Sequence, residues 1–497
     1  MIKKGFDNDA YIEKQSAMIS RRIGEFGGKL YLEFGGKLFD DYHASRVLPG
    51  FLPDSKLRML RKLASDVEIV LVINSADIEK NKMRRDLGIS YDSDVLRLID
   101  VFVGMKLFVG SVVITQYEEK PHTLAFCDKL KKSGVKVYRH YTINGYPYDV
   151  DRIVSEEGLG RNEYIETSRP LVVITAPGPG SGKMATCLSQ LYHEHKRGVK
   201  AGYAKFETFP IWNIPLNHPV NLAYEAATAD LNDVNMIDPW HLEAYGESTV
   251  NYNRDVEIFP VLNAIFEEIQ GSSPYKSPTD MGVNMAGYCI FDDEAVRMAA
   301  KDEIICRYYN SLCDIKRGHG SLAAVEKIKL LMKKAGISVE DRPVVKAALA
   351  RSAETDNQPA VAIELPDGAI VTGRTSEGVG ASAAALLNAV KVLAGIPDEL
   401  HLIEKNVIEP VCKLKTDILK SGNPRLHSDE TLIALTVSAV SGVNAARAVK
   451  LLPCLSGCEA HSSVLLSSTD EEVYRKLGIR LTCEPEYQNK KLYHGKH

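Results

Sequence analysis

The stretch Leu171–Leu191, LVVITAPGPGSGKMATCLSQL, contains the elements around which the N-terminal half of the chain is organised. Leu171–Thr175 is a run of aliphatic and β-branched residues, which predicts a buried strand. A turn rich in glycine and proline follows, and apolar residues at helical spacing from Met184 onward predict a helix. A strand, a glycine-rich turn, a lysine and a helix stand in the order that a phosphate-binding loop requires.

The glycine-rich turn, Pro177–Gly182, is a candidate anion-binding site together with Lys183. Glycines allow backbone N–H groups to converge on a phosphate, and the helix N-terminus adds partial positive charge. The lysine can reach the terminal phosphate oxygens. We therefore predict that a nucleotide or another phosphorylated metabolite binds here. The predicted binding residues of this turn are Gly178, Gly180, Ser181, Gly182 and Lys183.

Two positions depart from the P-loop pattern G-x-x-x-x-G-K-[ST]. Pro177 stands where the pattern has its first glycine, and Met184 stands where it has the Ser or Thr that binds Mg²⁺. Thr186 follows two residues too late to replace that ligand directly. The alternative to a phosphate site is a tight turn between strand and helix, with a solvated lysine.

Predicted strands alternate with predicted helices through the first half of the chain, which predicts an α/β fold with a doubly wound, mostly parallel sheet. The predicted strands are Leu30–Phe34, Glu68–Asn74, Phe108–Thr115, Lys136–Ile143, Leu171–Thr175 and Lys200–Phe206. Ligands of such sheets bind beyond the carboxyl ends of the strands. The glycine-lysine turns at 35–37 and 178–183 both follow such ends.

The turn after the first predicted strand is a second candidate site. We predict that Gly36 and Lys37 contribute to ligand binding and that Asp41 and His43 are catalytic. A carboxylate or a histidine at such a position can abstract a proton, and the cationic side chains can hold an anionic ligand. The alternative is a capped loop with surface ion pairs.

Between Phe206 and Gly287 the regular periodicity fades, and Asn, His, Asp, Tyr and Pro become frequent. Ordered loops that line a site have this composition, although a long connection between domains is the alternative. The polar candidates of this stretch are Glu207, His218, Asn221, Glu225, Asp230, Asp238, His241, Asn251, Asn253, Arg254 and Asp255. We expect the general base to come from here, with His218 and His241 as the predicted catalytic residues.

The pair Asp292-Asp293 admits two interpretations. The preceding Tyr288–Phe291 resembles the strand of a Walker B motif, whose acid would hold Mg²⁺. Because a long helical pattern begins at once, we favour a helix cap at Asp292 or Asp293.

The last third of the chain has the pattern of a separate α/β unit. Val361–Leu365 and Ile370–Gly373, joined by an Asp-Gly turn, predict a hairpin, and Ser382–Leu393 predicts a helix. Further strands are predicted at Glu399–Leu402, Ser463–Leu466 and Arg480–Cys483. We expect three domains: a doubly wound domain over 1–255, a helical domain over 256–342 and a smaller α/β domain over 343–497.

The composition bounds the class of protein. Of 497 residues, 45% are hydrophobic and 25% are charged, as in ordinary globular proteins, and the net charge of −4 gives no reason to expect nucleic acid or an anionic membrane as partner. No apolar run has the length of a membrane span, and no secretory signal is evident. Nine scattered cysteines indicate reduced thiols. We expect a cytoplasmic protein with a small phosphorylated ligand, and leave a homo-oligomer open.

Three motifs together resemble those of an uncharacterised bacterial family, a domain of unknown function. They are KLYLEFGGKLFDDYHASRVLPGF near the start, PGPGSGKMATCLSQLYHE in the middle and SPTDMGVNMAG after it. The resemblance covers nearly the full length. It implies a bacterial cytoplasmic protein of several domains, with a helical domain between the α/β parts, and it implies no particular activity.

Residues 360–395 are similar to the opening of cytidine deaminases, in which a hairpin leads to a helix with a zinc ligand and the catalytic Glu. Here the helix begins Ala381-Ser382-Ala383, without ligand or acid, and Cys458 falls one residue late after Pro453-Cys454. The resemblance implies a deaminase-like fold without zinc chemistry, serving assembly or closing over the other domain's site. The spacing Cys454-x3-Cys458-x2-His461 is also unusual for zinc, so no zinc is expected.

These observations predict a cytoplasmic enzyme that binds a nucleotide or another phosphorylated metabolite and transfers a phosphoryl or nucleotidyl group. The expected cofactor is ATP or a similar nucleotide with Mg²⁺, held by acids of the middle stretch in place of Met184. One alternative is a transferase or lyase that acts on a phosphorylated metabolite without phosphoryl transfer, with its chemistry on His43, His218 or His241. Another is a nucleotide sensor or scaffold without catalysis.

Overall fold

A computed structural model describes residues 3–35, 38–39, 41–84, 87–231 and 233–488. Two compact units divide the chain. Of the described residues, those within Lys4–Glu225 and Asp233–Arg297 form the N-terminal unit, and those within Met1–Lys3, Ala226–Asn232 and Met298–His497 form the C-terminal unit. Both units combine helices with a sheet, so the predicted α/β class is confirmed.

The N-terminal unit is built on a seven-stranded parallel sheet and also contains two short antiparallel pairs of strands. The strands are β1 (Leu30–Phe34), β2 (Val67–Asn74), β3 (Met83–Arg84), β4 (Ile89–Ser90), β5 (Phe108–Thr115), β6 (Lys136–Arg139), β7 (Leu171–Thr175), β8 (Gly202–Phe206), β9 (Asn235–Ile237), β10 (Val250–Tyr252) and β11 (Gly282–Val283). The spatial order of the parallel sheet is β11-β8-β1-β7-β2-β5-β6, and the antiparallel pairs are β3–β4 and β9–β10. In register, Leu30 of β1 pairs with Leu171 of β7 and Gly202 of β8. The predicted doubly wound parallel sheet is confirmed.

The helices of this unit follow the predicted alternation. They are α1 (Asn8–Glu25), α2 (Tyr42–Val47), α3 (Ser55–Lys62), α4 (Ser75–Glu79), α5 (Tyr91–Gly104), α6 (Pro121–Lys132), α7 (Val150–Ile153), α8 (Lys183–Lys196), α9 (Pro219–Ala227), α10 (Pro239–Tyr245), α11 (Asn253–Gln270) and α12 (Pro278–Met281). The next helix, α13 (Asp293–Lys316), begins in this unit, but its residues from Met298 onward belong to the C-terminal unit. α8 and α11 form the core with one face of the sheet, where Tyr31, Val172, Leu188 and Phe266 are buried together.

Two details of this unit settle predictions about boundaries. β6 ends at Arg139 instead of Ile143, because the backbone N–H of Tyr141 turns to the side chain of Asn162 (2.7 Å). Asp292 accepts a hydrogen bond from the backbone N–H of Ala295 (3.0 Å) at the start of α13. The helix-cap interpretation of Asp292 is therefore confirmed over the Walker B interpretation.

The C-terminal unit has its own four-stranded mixed sheet with the order β13-β12-β14-β15. Its elements after α13 are α14 (Leu322–Ala335), α15 (Pro343–Ala353), β12 (Ala360–Glu364), β13 (Ile370–Arg374), α16 (Ala381–Leu393), α17 (Lys405–Lys413), α18 (Ser428–Ser438), α19 (Val443–Leu451), β14 (Glu459–Ser462), α20 (Ser468–Lys476) and β15 (Arg480–Cys483). β12 is antiparallel to β13 and β14, whereas β14 and β15 are parallel.

Two strand predictions for this unit were wrong. Glu399–Leu402 lies in the turns and bends between α16 and α17. β14 occupies Glu459–Ser462 instead of Ser463–Leu466, because the Ser462 hydroxyl donates to the carbonyl of Val464 (2.7 Å) and ends the strand. None of the described helices combines the length and hydropathy that crossing a bilayer requires.

Candidate functional site

The candidate site lies at the edge of the parallel sheet where the strands end. Because β1, β7 and β8 are parallel neighbours, their carboxyl ends meet there. The chain leads from β1 toward β2 and from β7 toward β8, which are opposite directions along the sheet. Such a switch in winding is where doubly wound sheets form their ligand crevice. Of the turn after β1, Gly36 and Lys37 lie outside the described residues.

The turn between β7 and α8 is held in one conformation by its own contacts. Gly180 and Gly182 have φ of +74° and +86°, a region that favours glycine. The hydroxyl of the buried Ser181 donates to the carbonyl of Gly178 (2.8 Å). The hydroxyl of Thr115, at the end of β5, donates to the carbonyl of Ser181 (2.7 Å). The predicted binding residues of this turn are thus already ordered around one another.

The start of α8 presents backbone donors at this turn. Gly182 is its N-cap residue and supplies no side-chain acceptor, and Lys183, which begins the helix, is half-buried. The hydroxyl of Thr186 donates to the carbonyl of Gly182 (2.9 Å), and Met184 packs against the core. Met184 has no side-chain oxygen and Thr186 is fully buried, whereas the first N–H groups of the helix suit an anion.

A group of largely buried ionisable side chains lies at the end of β8. We call these residues, Lys205, Glu207, Tyr252 and Asp255, the lysine cluster. The Nζ of Lys205 lies 2.9 Å from a carboxylate oxygen of Glu207 and 2.8 Å from the hydroxyl of Tyr252. It also forms an ion pair with Asp255. The Tyr252 hydroxyl donates to Glu207 (3.0 Å). Every member of the cluster thus has a polar partner inside it.

The environment of the lysine cluster sets its protonation. Burial raises the pKa of Glu207 to about 7, with Lys205 opposing the rise and Asp255 adding to it. Burial disfavours the ammonium of Lys205, but the charges of Asp255 and Glu207 raise its pKa well above the usual value. At neutral pH Lys205 is therefore charged, whereas Glu207 can either give or accept a proton.

Glu33 links the lysine cluster to the glycine-rich turn. It is the register partner of Lys205 across β1 and β8, and it accepts a hydrogen bond from the hydroxyl of Tyr203 (2.8 Å). Burial raises the pKa of the Cys187 thiol on α8, Glu33 adds to the rise, and Lys183 opposes it. In the sheet, Glu33 is also the register partner of Ile174, so it lies between the strand that leads to the glycine-rich turn and the strand that carries Lys205.

The predicted catalytic residue Asp41 caps α2. Its carboxylate accepts from the backbone N–H of Ala44 (3.1 Å) and lies 2.8 Å from the Nζ of Lys56. Burial opposes ionisation of Asp41, but the neighbouring charge of Lys56 lowers its pKa below the usual value. Asp41 is therefore a paired carboxylate at neutral pH.

His43 joins a row of aromatic rings that leads to the lysine cluster. Its ring centroid lies 5.1 Å from that of Phe209, and Phe209 stacks on Tyr224 at 5.4 Å. Tyr224 lies 6.4 Å from Tyr252. A continuous row of ring contacts thus runs from His43 to Tyr252 of the lysine cluster.

The other two predicted catalytic residues have partners elsewhere in the unit. The Nε2 of His218 lies 2.9 Å from Asp293, and its Nδ1 accepts from the backbone N–H of Val220 (3.2 Å). Burial lowers the pKa of His218, with Asp293 opposing. The Nδ1 of His241 lies 2.9 Å from the hydroxyl of Ser277. Among the described residues, the hydrogen-bond and ion-pair partners of these two histidines lie outside the glycine-rich turn and the lysine cluster.

Sequence patterns did not single out Lys205, Tyr252 or Glu33 as candidates for this site. Lys205 lies in the run Lys200–Phe206, whose apolar residues predict only a strand, observed as β8 over Gly202–Phe206. A charged residue near the carboxyl end of an otherwise buried strand was the available signal, because such a charge must find buried partners. Its partners Glu207 and Asp255 were among the polar candidates, and Glu33 is its neighbour on β1.

Comparison with known proteins identifies the family. The chain matches the domain of unknown function DUF1846, N-terminal, over residues 4–336 and DUF1846, C-terminal, over residues 340–493. It is 57% identical over 493 residues to a UPF0371 protein of Streptococcus thermophilus, a match that covers 99% of this chain and 100% of the relative. A UPF0371 protein of Streptococcus pneumoniae matches to the same extent, 57% over 493 residues. The predicted resemblance to an uncharacterised bacterial family is thereby confirmed, and the chain belongs to the DUF1846 family.

Proposed function

We propose that the protein is an enzyme that binds a phosphorylated metabolite at the carboxyl edge of its parallel sheet, with the phosphate at Gly178–Lys183. The geometry of the turn between β7 and α8 carries this proposal. Two glycines with positive φ, a helix start without a side-chain cap and a half-buried lysine converge there. Backbone N–H groups and a lysine so arranged are the donors that a phosphate requires.

The contacts at the turn favour a reaction other than Mg²⁺-dependent phosphoryl transfer. A P-loop enzyme uses a hydroxyl at the start of the helix to hold Mg²⁺, but Met184 stands at that position here and the nearby Thr186 is fully buried. The nearby carboxylates Glu207 and Asp255 hold the ammonium of Lys205. We therefore favour a transferase or lyase that acts on a phosphorylated metabolite.

A nucleotide-dependent transferase remains the second candidate. Its support is the order of strand, glycine-rich turn, lysine and helix, which the structure retains at β7 and α8. Binding of a nucleotide that requires Mg²⁺ would favour this candidate. Binding without turnover of any tested compound would instead favour a sensor.

A thermal-shift screen of the full chain tests the proposal. The purified protein is screened against inorganic phosphate, sugar phosphates and nucleotides, with and without Mg²⁺. A ligand at about 100 times its Kd should stabilise the binding unit by about 2.7 kcal/mol, or on the order of 5 °C in Tm. We expect such a shift with at least one phosphorylated compound.

Lys183→Ala should abolish the shift, because it removes the cation at the turn. Lys196→Ala is the matched control, because Lys196 lies in the last turn of the same helix, about 20 Å away, with a half-exposed side chain. We expect Lys196→Ala to retain the shift. The proposal fails where no phosphorylated compound shifts the wild-type Tm, or where Lys183→Ala responds like the wild type.

A further inference from the structure

The lysine cluster is arranged differently from an ion pair that only stabilises a fold. A single ammonium, on Lys205, faces two carboxylates, on Glu207 and Asp255. The side chain of Glu207 is 3% exposed, and that of Asp255 is 14% exposed. Two buried carboxylates beside one cation leave an excess negative charge, so one of them tends to retain a proton.

The cluster lies on the face of the sheet that α8 covers. The hydroxyl of Tyr31 donates to Glu194 of α8 (2.6 Å), and Glu33 points to the same face because it is two residues further along β1. Glu33 is the register partner of Lys205. Because α8 begins at Lys183, the lysine cluster and the start of the helix share one face at the carboxyl edge.

We propose that Glu207 transfers a proton to or from the phosphorylated ligand held at the glycine-rich turn, with Tyr252 and Lys205 as positioning residues. The inference rests on the proposed function, because it needs a ligand at Gly178–Lys183. In the step, a C–H, O–H or N–H bond of the ligand breaks, its electron pair stays on the ligand, and the carboxylate of Glu207 takes the proton. Returning the proton to the product restores the carboxylate.

Both positioning residues bind the same carboxylate oxygen, Oε1 of Glu207. The Tyr252 hydroxyl donates to it at 3.0 Å, and the Nζ of Lys205 lies at 2.9 Å. Lys205 in turn is held by Asp255. The charged and titratable groups that face Glu207 therefore come from four elements, and they are Lys205 on β8, Tyr224 on α9, Tyr252 on β10 and Asp255 on α11.

Sulfate is the probe that isolates the ionisation of Glu207. Its charge is constant between about pH 5.5 and pH 8.5, whereas phosphate itself titrates in this range. Burial raises the pKa of Glu207 to about 7, so its ionisation adds a negative charge beside the anion within this range. We expect the sulfate affinity of the wild-type protein to fall about tenfold across a transition near pH 7, at constant ionic strength.

Glu207→Gln should remove this transition and leave sulfate bound at the higher affinity. Glu225→Gln is the matched control. Counted over the whole residue, Glu225 and Glu207 are each 5% exposed, but Glu225 accepts a hydrogen bond from the backbone N–H of Asn235 on β9. We expect Glu225→Gln to keep the transition. The wild type, Glu207→Gln and Glu225→Gln all retain His43. A difference between their pH profiles therefore reports on the substituted carboxylate.

The outcomes separate this inference from the proposed function. Sulfate binding that is absent, or unchanged in Lys183→Ala, overturns the proposed function and the inference with it. Sulfate binding that depends on Lys183, with the same pH transition in Glu207→Gln, overturns the inference alone. If Glu207→Gln does not fold, Tyr252→Phe is the test variant. It removes the hydroxyl that donates to Glu207, which should move the midpoint of the sulfate-affinity transition to higher pH. An unmoved midpoint contradicts the inference.

Discussion

Arg342, at the start of α15, offers the sharpest test of what holds the C-terminal unit together. Its side chain is 1% exposed, and its guanidinium is bonded on every side. It donates to Asp302 of α13 (3.0 Å), to Glu459 and to the carbonyl of Arg480 (3.0 Å). It thereby joins two helices to the strands β14 and β15.

The size of the effect follows from what Arg342→Met leaves behind. Removing one partner of a buried ion pair costs about 3–5 kcal/mol, because the remaining charge loses its compensation. Here Arg480 stays in place, 3.1 Å from Asp302 and 2.7 Å from Glu459. Both acids keep one cation, so we expect the lower end, a loss of about 3 kcal/mol in the free energy of unfolding of this unit. In a unit of this size the Tm should fall by about 6–12 °C.

The assay has to report on one unit at a time. Both tryptophans of the chain, Trp212 and Trp240, belong to the N-terminal unit, so tryptophan fluorescence follows that unit. Hydrogen exchange of peptides from β14 and β15 follows the C-terminal unit. We expect faster exchange in β14 and β15 with Arg342→Met and an unchanged fluorescence transition.

Arg351→Met is the control for Arg342→Met. Arg351 lies on the same helix, but its side chain is 37% exposed and its pair with Glu354 is a surface pair, worth about 0–1 kcal/mol. Equal losses of stability in the two variants would refute the argument that burial of the ion pair, and not loss of an arginine, sets the cost.

Two further predictions concern the turn and the pH dependence of stability. Gly182→Ala should lower the free energy of unfolding by about 1–2 kcal/mol, because φ is +86° and the new Cβ would lie 3.0 Å from Thr115. Gly198→Ala is the control, since its φ of +71° is similar but the new Cβ would meet open space. Urea unfolding should show a smaller loss for this control. His427 donates to Asp470 (3.0 Å), which raises the pKa of His427 in the folded protein. Because the folded pKa is raised, this pair stabilises fully below the unfolded pKa of about 6.5 and the stabilisation is lost as pH rises through the folded pKa. Scanning Tm from about pH 6 to pH 9 should show this decline in the wild type and not in His427→Gln, and parallel curves would contradict the assignment.

Local pattern was sufficient where an element is recognisable from its own residues. β1, β5 and β7 have the predicted bounds. β7, whose five residues are all buried, is the continuous apolar run that is typical of a parallel strand covered on both faces. The turn before α8 was recognisable because glycine is needed for its positive φ. Glu399–Leu402 was mistaken for a strand because a short apolar stretch carries no information about whether a partner strand exists.

The amino-acid sequence by itself thus determined the α/β class, the parallel strands and the turn between β7 and α8, since each depends on residues that are adjacent in the chain. Only the tertiary structure decided which side chains meet at the end of that sheet. Lys205 and Asp255 lie 50 positions apart, and no local period connects them. Their pairing depends on the strand order, which places β8 beside β1, and on the packing of α11 against α8. A buried charge requires a partner, but only the packing of the whole unit determines which residue that partner is.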